Sequence, residues 1–196
     1  MAKFEICEQV SDLMGEFRYP WMIAGGWSID LHAGEVTRKH NDIEIAILRM
    51  HQSDLRRYLA GWDFYYADPQ RKGVLEKWED EVTLELPIHE IHAFNKTSVP
   101  PKIEILLNES RGTDWLYRRD ESITCPLSSL RRVTPLGIPY ITPEVALLYK
   151  SKNLGPIDRL DLMNVINKME PEQVLWLTKS IETIDPHHSW LEILRG

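Results

Sequence analysis

Two carboxylates separated by a single residue, Asp42 and Glu44, stand at the head of the run Asp-Ile-Glu-Ile-Ala-Ile at 42–47. The alternation has the period of a strand, so Ile43, Ile45 and Ile47 face one way and Asp42, Glu44 and Ala46 the other. On such a strand the two carboxylates lie roughly 7 Å apart, from about 3.3 Å of rise per residue. Like charges so placed repel unless a cation lies between them. A hard divalent ion such as Mg²⁺ suits the pair, because it takes carboxylate oxygens and completes its shell with phosphate oxygens and water. Upstream, Gly25-Gly26 follows a short apolar stretch at 21–24 and leads into a helical stretch at 27–34 that carries Ser28 and ends at Gly34. A strand entering a helix through glycines presents free backbone N–H groups at the positive helix end, a common way to hold phosphate. Alone, an acidic-x-acidic strand is usually a solvated sheet face and a Gly-Gly pair a turn. Their order and spacing together point to a metal-bound polyphosphate.

Other elements must position this segment. Phe4, Cys7, Val10, Met14 and Phe17 recur at helical spacing over 3–17 and predict an amphipathic helix with one buried stripe. Residues 52–61 return to a helical pattern, with Ser53 as cap and Gly61 as stop. From about 63 to 141 the sequence is strand-like and broken by Pro and Gly, the clearest strands being 83–86, 89–94 and 102–107. At Thr142-Pro143-Glu144 the character changes to a helix start, and three further helices fit 156–169, 171–184 and 189–196. The expected division is therefore a mixed α/β part at 1–141 followed by a helical part at 142–196 that packs on it. His89 and His92 lack the helical spacing of a zinc-protease motif and fall on opposite faces of a strand. Arg118 and Arg119 read as an ion-pair cluster with Asp120, and most tryptophans as core or pocket wall.

With 43% hydrophobic and 27% charged residues, the 196-residue chain has a globular rather than a disordered composition. Its formal net charge of -7 argues against a nucleic acid gripped through phosphates and favours a neutral or cationic partner. No apolar run is long enough to span a membrane, and the N-terminus alternates polar and apolar residues where a signal peptide would be continuously apolar. With two distant cysteines, Cys7 and Cys125, the expectation is a reduced cytoplasmic protein. The sequence leaves the oligomeric state open.

The segment 25–47, including Thr37-Arg38-x-His40-x-Asp42-Ile43-Glu44, resembles the active-site stretch of the nucleotidyltransferase superfamily. It is most similar there to the aminoglycoside 2''-O-adenylyltransferases and lincosamide nucleotidyltransferases. Weaker similarity runs through 102–109, 115–120 and the helix start at 142. The resemblance implies an α/β (α+β) fold, a minimal nucleotidyltransferase core whose small mixed sheet is flanked by helices and followed by a C-terminal helical bundle. It implies transfer of a nucleoside monophosphate from a nucleoside triphosphate, ATP by preference, to a hydroxyl of a small acceptor such as an antibiotic, with two Mg²⁺ ions. Asp42 and Glu44 match the metal-binding carboxylates, and Gly25, Gly26 and Ser28 the phosphate-holding turn. Glu44 departs from the aspartate usual in the antibiotic enzymes. A third carboxylate, as metal ligand or as acceptor of the hydroxyl proton, is expected on a neighbouring strand; Glu104 is the first candidate, and Glu85 and Glu90 compete. Lys150 is the expected triphosphate contact from the helical part, with Arg38 and His40 flanking the metal strand as weaker phosphate candidates. The alternative is a member of a toxin–antitoxin pair that modifies or binds a protein.

Overall fold

Sheet pairing begins at Glu44 rather than Asp42, because the isoleucine face that anchors the strand is what finds a partner. The computed structural model describes residues 3–71 and 74–196. Its elements run α1 (Glu5–Leu13), β1 (Trp21–Ile23), α2 (Gly25–Ala33), β2 (Glu44–Leu48), α3 (Gln52–Tyr58), β3 (Asp63–Ala67), β4 (Leu75–Lys77), β5 (Glu90–Phe94) and β6 (Lys102–Arg111). They continue with β7 (Asp114–Leu116), β8 (Thr124–Pro126), β9 (Arg131–Val133), β10 (Pro139–Ile141), α4 (Pro143–Lys150), α5 (Pro156–Val165), α6 (Pro171–Ile184) and α7 (Trp190–Arg195). The main path of the sheet is β4-β3-β5-β6-β2-β1-β10-β9, with β7 and β8 branching from the far end of β6. β2 runs parallel to β6 and β1 parallel to β10, while the other pairs are antiparallel. The fold is thus the mixed α+β arrangement the sequence predicts.

The alternation along the central strands splits the core in two. Ile45, Ile47, Ile103, Ile105, Ile91 and Phe64 face one side, where they meet Cys7, Val10 and Met14 from the N-terminal stripe and Leu55 of α3. Met22 and Ala46 face the other, under Leu147, Leu148, Leu162, Leu177 and Trp190 of the C-terminal helices. Each fully buried Ile or Leu stabilises by about 1.5–3 kcal/mol relative to an exposed one, so both faces of β2 are strongly committed and its register is fixed. That register sets Glu44 level with Glu104 on β6, and β6 in turn sets Glu104 level with His92 on β5.

Three expectations need correction. Residues 83–86 form no strand: Leu84 is held instead by side chains, its N–H donating to Gln52 Oε1 at 2.8 Å and its carbonyl accepting from Arg49 at 2.9 Å. An amide and a guanidinium thus substitute for a ladder. Ser53 lies inside α3, which starts at Gln52, and so does not cap it. Phe17 is buried with the N-terminal stripe but lies beyond the end of α1. Both cysteines are free, and burial pushes each thiol up to about 12. Among the described residues no helix is long and apolar enough to cross a membrane.

Candidate active site

The loop between β1 and α2 is shaped by what it must avoid. Gly25 has φ of +59°, a left-handed conformation, and a Cβ there would overlap the Glu44 carboxylate. The Ala24 N–H donates to the Glu44 carbonyl at 2.8 Å, tying the end of β1 to the start of β2. Ser28 is fully buried and donates to the Gly25 carbonyl at 2.8 Å, which holds the turn's shape from inside. Gly25→Ala is expected to displace Glu44 and, from the left-handed backbone alone, to lower stability by on the order of 1–2 kcal/mol. Denaturant unfolding and Mg²⁺ titration of that variant check both effects.

Gly26 serves a different neighbour. A Cβ there would strike Arg38 Nη2 and come within 2.7 Å of the His40 ring. Thr37 donates to Asp30 Oδ1 at 2.5 Å, and His40 Nε2 lies 2.6 Å from Asp30 Oδ2, with Asp30 wholly buried in α2. Arg38 grips buried Asp161 of α5 through Nε at 2.7 Å and Nη2 at 3.0 Å, and its Nη1 donates to the Lys39 carbonyl at 3.2 Å. All three nitrogens of Arg38 are therefore engaged by protein, and His40 is stacked on Trp27 with centroids 4.3 Å apart. The structure places both residues in a clamp between loop and helices, where the sequence suggested phosphate contacts.

Asp42 is exposed just ahead of β2, with its carbonyl accepting from Trp27 Nε1 at 2.9 Å. Glu44 is partly buried, and burial followed by the neighbouring Asp42, Glu104 and Glu90 carboxylates pushes its carboxyl up to about 7, against a pull from Lys150. A bound cation would offset the part of this field that Lys150 leaves, and the oxygens of Asp42 and Glu44 are the hard donors Mg²⁺ takes. Glu104 Oε1 lies 2.5 Å from Lys102 Nζ and 3.4 Å from His92 Nδ1. The His92 imidazole and the Lys102 ammonium hold the Glu104 carboxyl down to about 2. His92 is pushed up to about 9 by Glu104 and Glu90, its Nε2 being 2.7 Å from Glu90 Oε1. Among the described residues, the three potential ligands whose atoms already lie within 4.8 Å of one another are Glu90, His92 and Glu104, a group that omits Asp42 and Glu44. Glu85 is exposed on the segment that forms no strand.

Beside Glu44 opens a cleft of about 310 Å³ whose lining carries both signs of charge, Glu44, Glu90 and Asp158 with Lys150, Arg118 and Arg119. Lys150 Nζ sits 2.8 Å from Asp161 and 3.5 Å from Asp158, so it shares Asp161 with Arg38. Burial opposes charge on Asp161, yet Arg38 and Lys150 hold its carboxyl below the usual range. Arg118 and Arg119 do not pair with Asp120, which accepts from the Ser122 N–H and hydroxyl at 3.0 and 2.6 Å. Both guanidinium groups lie over the Tyr149 ring at 5.5 Å, and Arg119 donates to Tyr117 Oη at 3.0 Å. The sequence reading missed them as site residues; the signal was two adjacent arginines just after an aromatic strand. Asp42 and Glu104 border a second hollow on the other side, with Trp27, Asn41, Pro101 and Lys102.

Residues 7–99 match the family described as Aminoglycoside-2''-adenylyltransferase. No curated protein sequence matches the chain. Among solved structures, the lincomycin-bound lincosamide antibiotic adenylyltransferase LnuA superposes with a TM-score of 0.57 at 18% identity, over 85% of this chain and 98% of that one. The chain has a nucleotidyltransferase fold. ANT(2'')-Ia in complex with adenylyl-2''-tobramycin superposes with a TM-score of 0.52 at 15% identity, over 100% of this chain and 95% of that one. Within this fold, Gly25 of the glycine turn and Glu44 of β2 line one cleft together with Arg118, Arg119 and Lys150.

Proposed function

We propose that this chain transfers a nucleoside monophosphate, from ATP by preference, to a hydroxyl of a small neutral or cationic antibiotic-like acceptor in the cytoplasm. The observation that carries the reading is the two-signed cleft, in which Gly25 and Glu44 face Lys150, Arg118 and Arg119. A triphosphate with its metal needs both signs at once. Residues 1–141 supply the carboxylates and the arginines, and residues 142–196 supply Lys150, Tyr149 and Asp158. Asp42 and Glu44 would hold Mg²⁺ on the nucleotide side, and Glu104, which borders one hollow with Asp42, would face a second ion on the acceptor side. When bound, Mg²⁺ would supply charge neutralisation at the α-phosphate and acidify the acceptor hydroxyl.

The acceptor oxygen bonds to the α-phosphorus, the bond from that phosphorus to the β-phosphate oxygen breaks, and pyrophosphate leaves. The hydroxyl proton goes to Glu104. The charged contacts of Glu104 converge on Oε1, which leaves Oε2 for that proton. A carboxyl near 2 is a weak base, so it works only on a hydroxyl already acidified. The net charge of -7 favours cationic acceptors and disfavours nucleic acid.

The test uses α-labelled ATP and Mg²⁺ with panels of aminoglycosides, lincosamides and plain sugars. The expected result is labelled monophosphate on an acceptor, with one pyrophosphate released per transfer and loss of both in Asp42→Asn. ATP binding that ignores Mg²⁺, together with no transfer to any hydroxyl, would overturn the reading.

A further inference from the structure

We propose that His92 and Glu104, backed by Glu90, form a site for a first-row transition ion such as Zn²⁺, separate from the Mg²⁺ position at Asp42 and Glu44. The three side chains share one face of the sheet, and their ligand atoms lie within 4.8 Å of one another. His92 is only 9% exposed, and its Nδ1 is buried without a hydrogen-bond partner. That orphaned nitrogen lies 3.4 Å from Glu104 Oε1, an ion-pair contact outside hydrogen-bond geometry. Two donors at about 2.0–2.1 Å from one ion with a tetrahedral angle between them stand about 3.4 Å apart, so the gap already has the width of a bound ion.

The other ring nitrogen completes the pattern. Nε2 lies 2.7 Å from Glu90 Oε1, and a metal-binding histidine characteristically donates its second N–H to a carboxylate in this way. Glu90 thereby fixes Nδ1 as the ligand atom, and the ion takes the place of its proton. Lys102 Nζ, 2.5 Å from the same Glu104 oxygen, is the competing cation. Its side chain is 42% exposed and has solvent to swing into. An imidazole nitrogen suits Zn²⁺ or Co²⁺ and is not a ligand Mg²⁺ favours, so this site differs in kind from the Asp42 and Glu44 position. Water and substrate oxygens complete the shell.

The inference rests on the nucleotidyltransferase reading for the shared use of Glu104, while the binding test does not. Co²⁺ is titrated into the full chain and followed by its visible absorption, and Zn²⁺ and Mg²⁺ by calorimetry. The wild type is expected to bind one Co²⁺ with the spectrum of a nitrogen-containing site. His92→Gln should weaken Co²⁺ and Zn²⁺ about 10-fold or more while leaving the Mg²⁺ titration with ATP little changed, and Glu90→Gln should weaken the transition ions about 10–100-fold. If His92→Gln fails to fold, Glu90→Gln decides. Asp42→Asn separates the two ideas: it should lose Mg²⁺-dependent ATP binding and keep the Co²⁺ spectrum. Unchanged Co²⁺ affinity in the folded histidine or glutamate variant, or equal losses for Zn²⁺ and Mg²⁺, overturns the site.

Discussion

Glu104→Gln is expected to transfer nucleotide about 10²–10⁴ times more slowly than the wild type, the usual worth of a positioned proton acceptor, while binding Mg²⁺-ATP within a few-fold. Glutamine keeps the size and removes both the basicity and the charge. The parallel register that sets Glu104 beside Glu44 is held by Ile103 and Ile105 on the opposite face, so the fold should survive. Asp42→Asn should behave differently and lose nucleotide affinity together with rate, since in the proposed reaction Asp42 would hold the ion that reaches the phosphates. Single-turnover rates with a saturating acceptor, set beside calorimetric ATP affinities, separate binding from chemistry. Near-normal turnover in Glu104→Gln would move the proton to Glu90, the remaining carboxylate of the group.

Glu44→Gln is expected to be inactive and yet more stable than the wild type above neutral pH. Burial and three neighbouring carboxylates raise the Glu44 carboxyl from 4.5 to about 7 in the folded chain. Between those values the folded state keeps a proton that the unfolded state has released, so stability falls as pH rises through the window. Above about pH 7 the cost is fully present and amounts to on the order of 3 kcal/mol. An amide carries no such cost. Urea midpoints measured from pH 4 to 8 without metal should coincide for the two proteins at the acid end and separate in favour of the variant at the alkaline end. Mg²⁺ with ATP should close the gap from the wild-type side, because a ligand of the folded state stabilises it. Parallel curves across the whole range would mean that Glu44 is ionised without penalty.

The sequence is most legible where one residue type serves one demand. The isoleucine alternation of β2, the apolar stripe of α1 and the Thr-Pro-Glu start of α4 each state their element, because burial and a proline in the first helical turn are local signals. Residues 83–86 mislead because their pattern is strand-like while their partners are the side chains of Gln52 and Arg49, which lie more than thirty positions upstream. The site shows the same limit. Gly25, Asp42 and Glu44 are readable from one short stretch, and Glu104 from the order of strands. Arg118 and Arg119 are not, since only the packing of Tyr149 beneath them reveals that they face the cleft and not Asp120. The Thr37-Arg38-x-His40 run stands out in the sequence, but what it does depends on Asp30 and Asp161, the second of which is far along the chain.

Arg38 and Lys150 lean on one buried carboxylate, Asp161, and that arrangement limits how the two parts of the chain can change over generations. A substitution at Asp161 strands a guanidinium in the N-terminal part and leaves the Lys150 ammonium only its longer contact to Asp158. Loss of Arg38 leaves the buried carboxylate to Lys150 alone. At this point the helical part is therefore in lockstep with the loop beside the glycine turn. A helical segment borrowed from a distant relative will function on this core only if it brings an acid to that position.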